Sequence, residues 1–141
     1  MNYFLKLNVV SMLYAFIVFI PFELMVNVYR ISRLTSWDIG TVNALTNVTL
    51  IATFIGGSIL IYFVTKKWLN NRKVNFITAL FWLPYFVLFV LIFASLFPLT
   101  YSGDDPNPVT GLLAIGGTIG YPFYILLLNS IARGRNEEIA N

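Results

Sequence analysis

Four stretches of more than twenty residues, at about 7–28, 39–64, 76–97 and 109–131, are almost wholly apolar, and Lys or Arg stands at one or both ends of each. The hydrocarbon core of a bilayer takes about 20 helical residues at about 1.5 Å each, and a single segment can satisfy its own backbone groups in lipid only as a helix. The pattern predicts an all-α integral membrane protein with four transmembrane helices in two antiparallel hairpins. The connections are short, so residues 1–141 are expected to form one membrane domain, multi-pass in the cell membrane.

Composition agrees, since 58% of the chain is hydrophobic and 11% charged. The net charge of +3 does not point to nucleic acid, because the basic residues sit at span ends and not along one surface. Without cysteine or histidine the chain has no disulfides, no thiolate or imidazole metal sites, no histidine haem ligation and no His-based acid/base chemistry. No cofactor and no metal are expected. Lys6 before an apolar run resembles the start of a signal peptide. The run continues through Pro21, Glu23 and Met25 without a small-residue cleavage site, and it is expected to remain as a span.

The charges also orient the chain. Lys6, Lys66, Lys67, Arg72, Lys73, Arg133 and Arg135 fall on one side of the four spans, and Arg30 and Arg33 on the other. The positive-inside rule then puts both termini in the cytoplasm, with the 30–38 loop and the Asp104, Asp105 loop outside. Trp37 and Trp68 suit the two interfaces, either Ser36 or Asp38 is placed to cap the second helix, and 136–141 reads as a short polar tail.

Glu23 is the one acidic residue inside a span. It lies seven residues before Arg30, roughly 10 Å deeper at the helical rise. A charge at the centre of a span costs about 2.5–3.5 kcal/mol on insertion scales, so a partner or water is expected. Glu23, Asn27 and Arg30 recur at i, i+4 and i+7, on one helix face. The second span answers with Asn43, Thr46, Asn47, Thr53 and Gly57 at three- and four-residue spacing. Glu23, Asn27, Arg30, Asn43 and Asn47 are therefore the candidate binding residues of an outer polar pocket or a proton-binding carboxyl. The plainer reading is interhelical glue, with Glu23 snorkelling or paired to Arg30 or Arg33.

Pro21, Pro84 and Pro122 fall inside helices and free the carbonyls of Ile17, Leu80 and Thr118, which predicts kinks. Gly116 and Gly120 form a GxxxG step, read as a helix-packing face for another helix of this chain or of a partner. The third span is aromatic on nearly every face and is expected to meet lipid or a hydrophobic partner. The basic loop 66–73 suits membrane lipid headgroups but also the orientation rule. Asp104 and Asp105 lack the ligand spacing of a calcium loop.

No span pairs two carboxyls or sets a base beside a nucleophile, so an enzyme is not expected. Two classes remain. One is a non-catalytic protein acting through other membrane proteins or by self-association, as an accessory subunit or an immunity or regulatory factor. The other is a small oligomeric transporter or channel that uses Glu23 for protons or cations. Four helices with one first-helix carboxyl resemble the small multidrug resistance family in arrangement, in which that glutamate binds protons and cations. The likeness does not extend to a motif across the spans.

Overall fold

The computed structural model describes residues 2–69 and 72–137. Among them there is no strand, and four helices are long and apolar enough to cross a membrane. In order come α1 (Tyr3–Val26), α2 (Val28–Thr35), α3 (Ile39–Trp68), a 3-10 turn (Lys73–Ile77), α4 (Thr78–Leu96), a second 3-10 turn (Ser102–Asp104) and α5 (Pro108–Glu137). The helix expected to end near 131 therefore runs on to Glu137. The rest of the expected tail, 138–141, lies outside the described residues.

The first span stops at Asn27 for a local reason. The Asn27 amide donates to the Glu23 backbone carbonyl at 2.9 Å and to Glu23 Oε2 at 3.0 Å, while its backbone sits at φ −102, ψ 16. An Asn side chain that bonds its own helix competes with the backbone ladder. The ladder then resumes, with the Ile31 amide donating to the Asn27 carbonyl at 2.8 Å. The segment expected as a loop over 30–38 is thus mostly α2, which closes on Ser36 in the left-handed region at φ 60, ψ 19. Of the two expected caps for the next helix, Asp38 takes the role: its Oδ2 accepts from the Thr41 amide at 2.9 Å.

α1 is the central helix. In its most apolar stretch 39% of residues are buried, against 17% for each of the other three spans. It packs chiefly on α4 and α3, while α5 rests mainly on α3. The core joins Leu7, Val10, Tyr14 and Ile17 of α1 to Ile61 of α3, Trp82 and Phe86 of α4, and Tyr121 and Ile125 of α5. Trp82 meets Tyr121 edge-on, with ring centroids 4.8 Å apart. α1 and α3 approach closely at Gly57, where a Cβ would lie 2.6 Å from Ile17 Cδ1 and 2.8 Å from its Cγ1.

The structure narrows two expectations that each left two alternatives open. The third span, α4, does not face lipid all round, because Trp82 and Phe86 are buried and Phe89 packs on Phe19 at 5.6 Å. Positions 82, 86, 89 and 93 form an inward stripe, while Leu80, Leu83 and Leu91 look outward. Gly116 and Gly120 do not pack on a helix of this chain: a Cβ at either would meet nothing within 4 Å.

The two ends of the bundle are tied differently. At the Tyr3 end, the Tyr3 hydroxyl donates to Asn75 Oδ1 at 2.7 Å, and the Asn129 amide donates to Thr78 Oγ1 at 2.9 Å. At the Arg33 end, α1 and α2 are joined to the last turn of α4 and to the 97–107 connection.

Candidate functional site at the Arg33 end

Glu23, Asn27 and Arg30 line one recess between α1 and α4, with a volume of about 410 Å³. Its other walls are apolar: Phe19, Ile20, Leu24, Ile31, Leu34, Phe93 and Phe97. A second hollow of about 260 Å³ lies against the same three polar residues and is bounded by Val90, Ala94, Leu99 and Pro106. Glu23 is buried, and the Asn27 amide holds its carboxylate. Both arginines expected as its counter-ions are engaged elsewhere. Arg30 donates to the Phe97 carbonyl at 2.8 Å and to the Pro98 carbonyl at 3.4 Å. These carbonyls end α4, where the helix dipole favours a cation. Among the described residues Glu23 forms no salt bridge.

Asn43 and Asn47 stand at a separate place. Together with Thr46 of α3 they line a recess of about 180 Å³ bounded by Met25, Val28 and Tyr29 of the first two helices and by Asn107 and Thr110 at the start of α5. There Asn107 donates to the Tyr29 hydroxyl at 2.9 Å, and its Oδ1 caps α5 by accepting from the Thr110 amide at 2.8 Å. The five candidate residues thus divide between two flanks of α1. Glu23 turns toward α4, while Asn43 and Asn47 line the crevice between α1, α3 and α5.

Arg33 marks the strongest polar contact at this end, and sequence spacing did not point to it. Its Nε donates to Asp104 Oδ1 at 2.9 Å and its second terminal nitrogen to Oδ2 at 2.6 Å, a two-pronged pair. The guanidinium also lies over the Tyr101 ring, 5.1 Å from its centroid. This hydrogen bonding holds the Asp104 carboxyl below its ordinary value and raises Arg33. Asp38 is likewise lowered, first by the Thr41 hydroxyl and then by the Thr41 amide. The only hint of the Arg33 partner in the sequence was an acidic loop expected on the same side as the arginine.

Among the described residues no three carboxylates gather as a metal site would require. The chain matches no protein-family model, and no curated protein or solved structure shows significant similarity to it.

Proposed function

We propose that this chain is a small non-catalytic membrane protein that works by packing against another membrane helix, as an accessory or regulatory subunit or through a second copy of itself. In this reading the Tyr3 end, with both termini, lies in the cytoplasm of a cell with this protein in its plasma or inner membrane, and the spans run as two antiparallel hairpins. The charge count supports that orientation.

The observation that carries the reading is the uncovered first half of α5. Gly111, Gly116, Gly117 and Gly120 each leave open space where a Cβ would stand, whereas Tyr121, Ile125 and Asn129 in the second half are buried. A glycine inside a helix costs about 1 kcal/mol relative to alanine. Gly116 and Gly120, four residues apart on one face and without a contact in the bundle, are what close approach by a further helix requires. Crosslinking from cysteines placed at Val109 and Leu112 in native membranes tests this: a discrete adduct of fixed mass supports it, and only lipid or no adduct sinks it.

A second reading rests on Glu23, a buried carboxyl whose expected cations are both occupied. Such a group is open to a proton or a cation from outside the chain, as transport would need. Glu23→Gln decides: loss of proton-coupled flux in vesicles with insertion unchanged favours transport, and an absence of flux in the parent protein ends it.

A further inference from the structure

The recess lined by Asn43 and Asn47 is the upper part of a longer crevice. A hollow of about 300 Å³ lies below it between α1, α3 and α5, and the two share Met25, Asn47, Leu50 and Leu113 as walls. Their characters differ by depth. The mouth carries Asn43, Thr46 and Asn47, spaced i, i+3 and i+4 on α3, with Asn107 and Thr110 across from them. The floor is aromatic and aliphatic, with Phe22, Phe54 and Tyr121. Neither part is lined by a charged residue.

The polar groups of the mouth are unequally satisfied. Asn107 and Thr110 bond each other and Tyr29, but the side chains of Asn43, Thr46 and Asn47 make no hydrogen bond with any described residue. Thr46 is nevertheless buried. Asn43 and Asn47 are exposed at the mouth, so the three side chains, on one stripe at the head of a span, are free to bond a polar occupant. The Tyr121 hydroxyl closes the floor by donating to the Tyr14 carbonyl at 2.7 Å, so the lower hollow offers no such need.

We infer that this crevice binds an uncharged amphiphile, whose hydroxyl-bearing head takes the amides of Asn43 and Asn47 and the Thr46 hydroxyl, and whose single hydrocarbon chain fills the hollow down to Phe54. The chemical class is a neutral monoacyl lipid, of which a monoacylglycerol is the simplest member. Its head both donates and accepts, as asparagine does. An ionic head would give up its hydration to walls without a countercharge. Asn47 and Phe54 are roughly 10 Å apart along α3 at the helical rise, a depth that takes about the first seven or eight carbons of an extended chain, and the rest of a lauroyl chain runs on beyond Phe54. This site needs no second protein, so it stands or falls apart from the reading based on α5.

The test uses the full chain in phosphatidylcholine nanodiscs, with radiolabelled 1-monolauroylglycerol as probe and laurate and dodecyltrimethylammonium as charged arms. Saturable binding of one monolauroylglycerol per chain is expected, with both charged amphiphiles at least tenfold weaker. The double variant T46V/N47L should lose about tenfold in affinity, which corresponds to two hydrogen bonds of interhelical strength. It inserts apolar groups into a membrane segment, so its fold is expected to survive and circular dichroism checks this. L113W, which fills the crevice from its side, should abolish binding. Partitioning without saturation, equal binding of a charged amphiphile, or unchanged affinity in T46V/N47L would overturn the proposal and leave water as the occupant of the mouth.

Discussion

Arg33 and Asp104, seventy-one residues apart, are joined by two charge-assisted hydrogen bonds of 2.9 and 2.6 Å that fasten α2 to the connection between α4 and α5. Asp104 is nearly inaccessible there while Arg33 keeps 44% of its side chain exposed, so the pair works as a surface clasp over a buried carboxylate. The same connection carries Asn107, which caps α5 and holds Tyr29. The clasp therefore sets the position from which α5 enters the bundle.

The clasp gives stability a particular dependence on pH. Asp104 is held below its ordinary value of 3.8 by Arg33, so its contribution is fully present above that value and is lost as pH falls through the lowered folded-state value. Thermal unfolding in detergent should show a flat profile from neutral pH down to about 4 for this pair and a decline below it. D104N should melt at a lower temperature than the parent at pH 7 and should lose part of the acid decline. An unchanged profile would remove the clasp from the account.

Adjacent glycines in α3 should respond in opposite directions. Gly57→Ala drives a methyl against Ile17, whose Cδ1, Cγ1 and Cγ2 lie 2.6–3.0 Å from it, whereas Gly56→Ala meets nothing. Overpacking of this kind typically costs about 1–3 kcal/mol, and the free position gains up to about 1 kcal/mol of helix propensity. Unfolding of the two variants in mixed micelles measures the difference. I17A should recover part of the G57A loss, because it removes the atoms that clash.

The aromatic contact between Trp82 and Tyr121 anchors α4 to α5 through the middle of the bundle. In water, replacing a buried Trp with Ala costs about 3–5 kcal/mol. Part of that is hydrophobic transfer, which falls away when the unfolded reference keeps its helices in lipid. W82A is therefore expected to lose about 2–3 kcal/mol. Y121F, which removes only the bond to the Tyr14 carbonyl, should lose about 0.6 kcal/mol. Equal losses would mean that the hydroxyl bond of Tyr121 to α1 contributes as much as the aromatic packing of Trp82.

The four spans were legible because length and apolarity alone decide them. Their neighbours were not. The inward stripe of α4 is hidden by aromatics on its other faces, so Trp82 and Leu83 look equally lipophilic until α1 and α5 are placed. The break at Asn27 depends on one side chain bonding Glu23, and an i, i+4 pair in sequence predicts contact but not a helix boundary. Similar depth led Glu23 and Asn43 to be grouped in one patch, yet depth says nothing of azimuth, and the two lie on different flanks of α1. The Arg33 and Asp104 clasp joins segments separated by two spans, a distance that no local pattern bridges.

Orientation is directly accessible because the chain has no cysteine, so each introduced thiol is the only one present. Cysteines at Lys67 and at Asp105 sit on opposite ends of the bundle. In intact cells a membrane-impermeant maleimide should label the Asp105 position and spare Lys67. The reverse pattern would turn the protein over and put the Asn43 mouth inside.

The claim that α5 presents a docking face is tested most directly by G116L/G120L, compared with the exposed α4 control L91A, in quantitative crosslinking from a cysteine at Leu112. Both variants should insert and fold as the parent does, because neither glycine touches the bundle. G116L/G120L should lose the discrete adduct while L91A retains it. An adduct of the same mass and yield in G116L/G120L would contradict the claim.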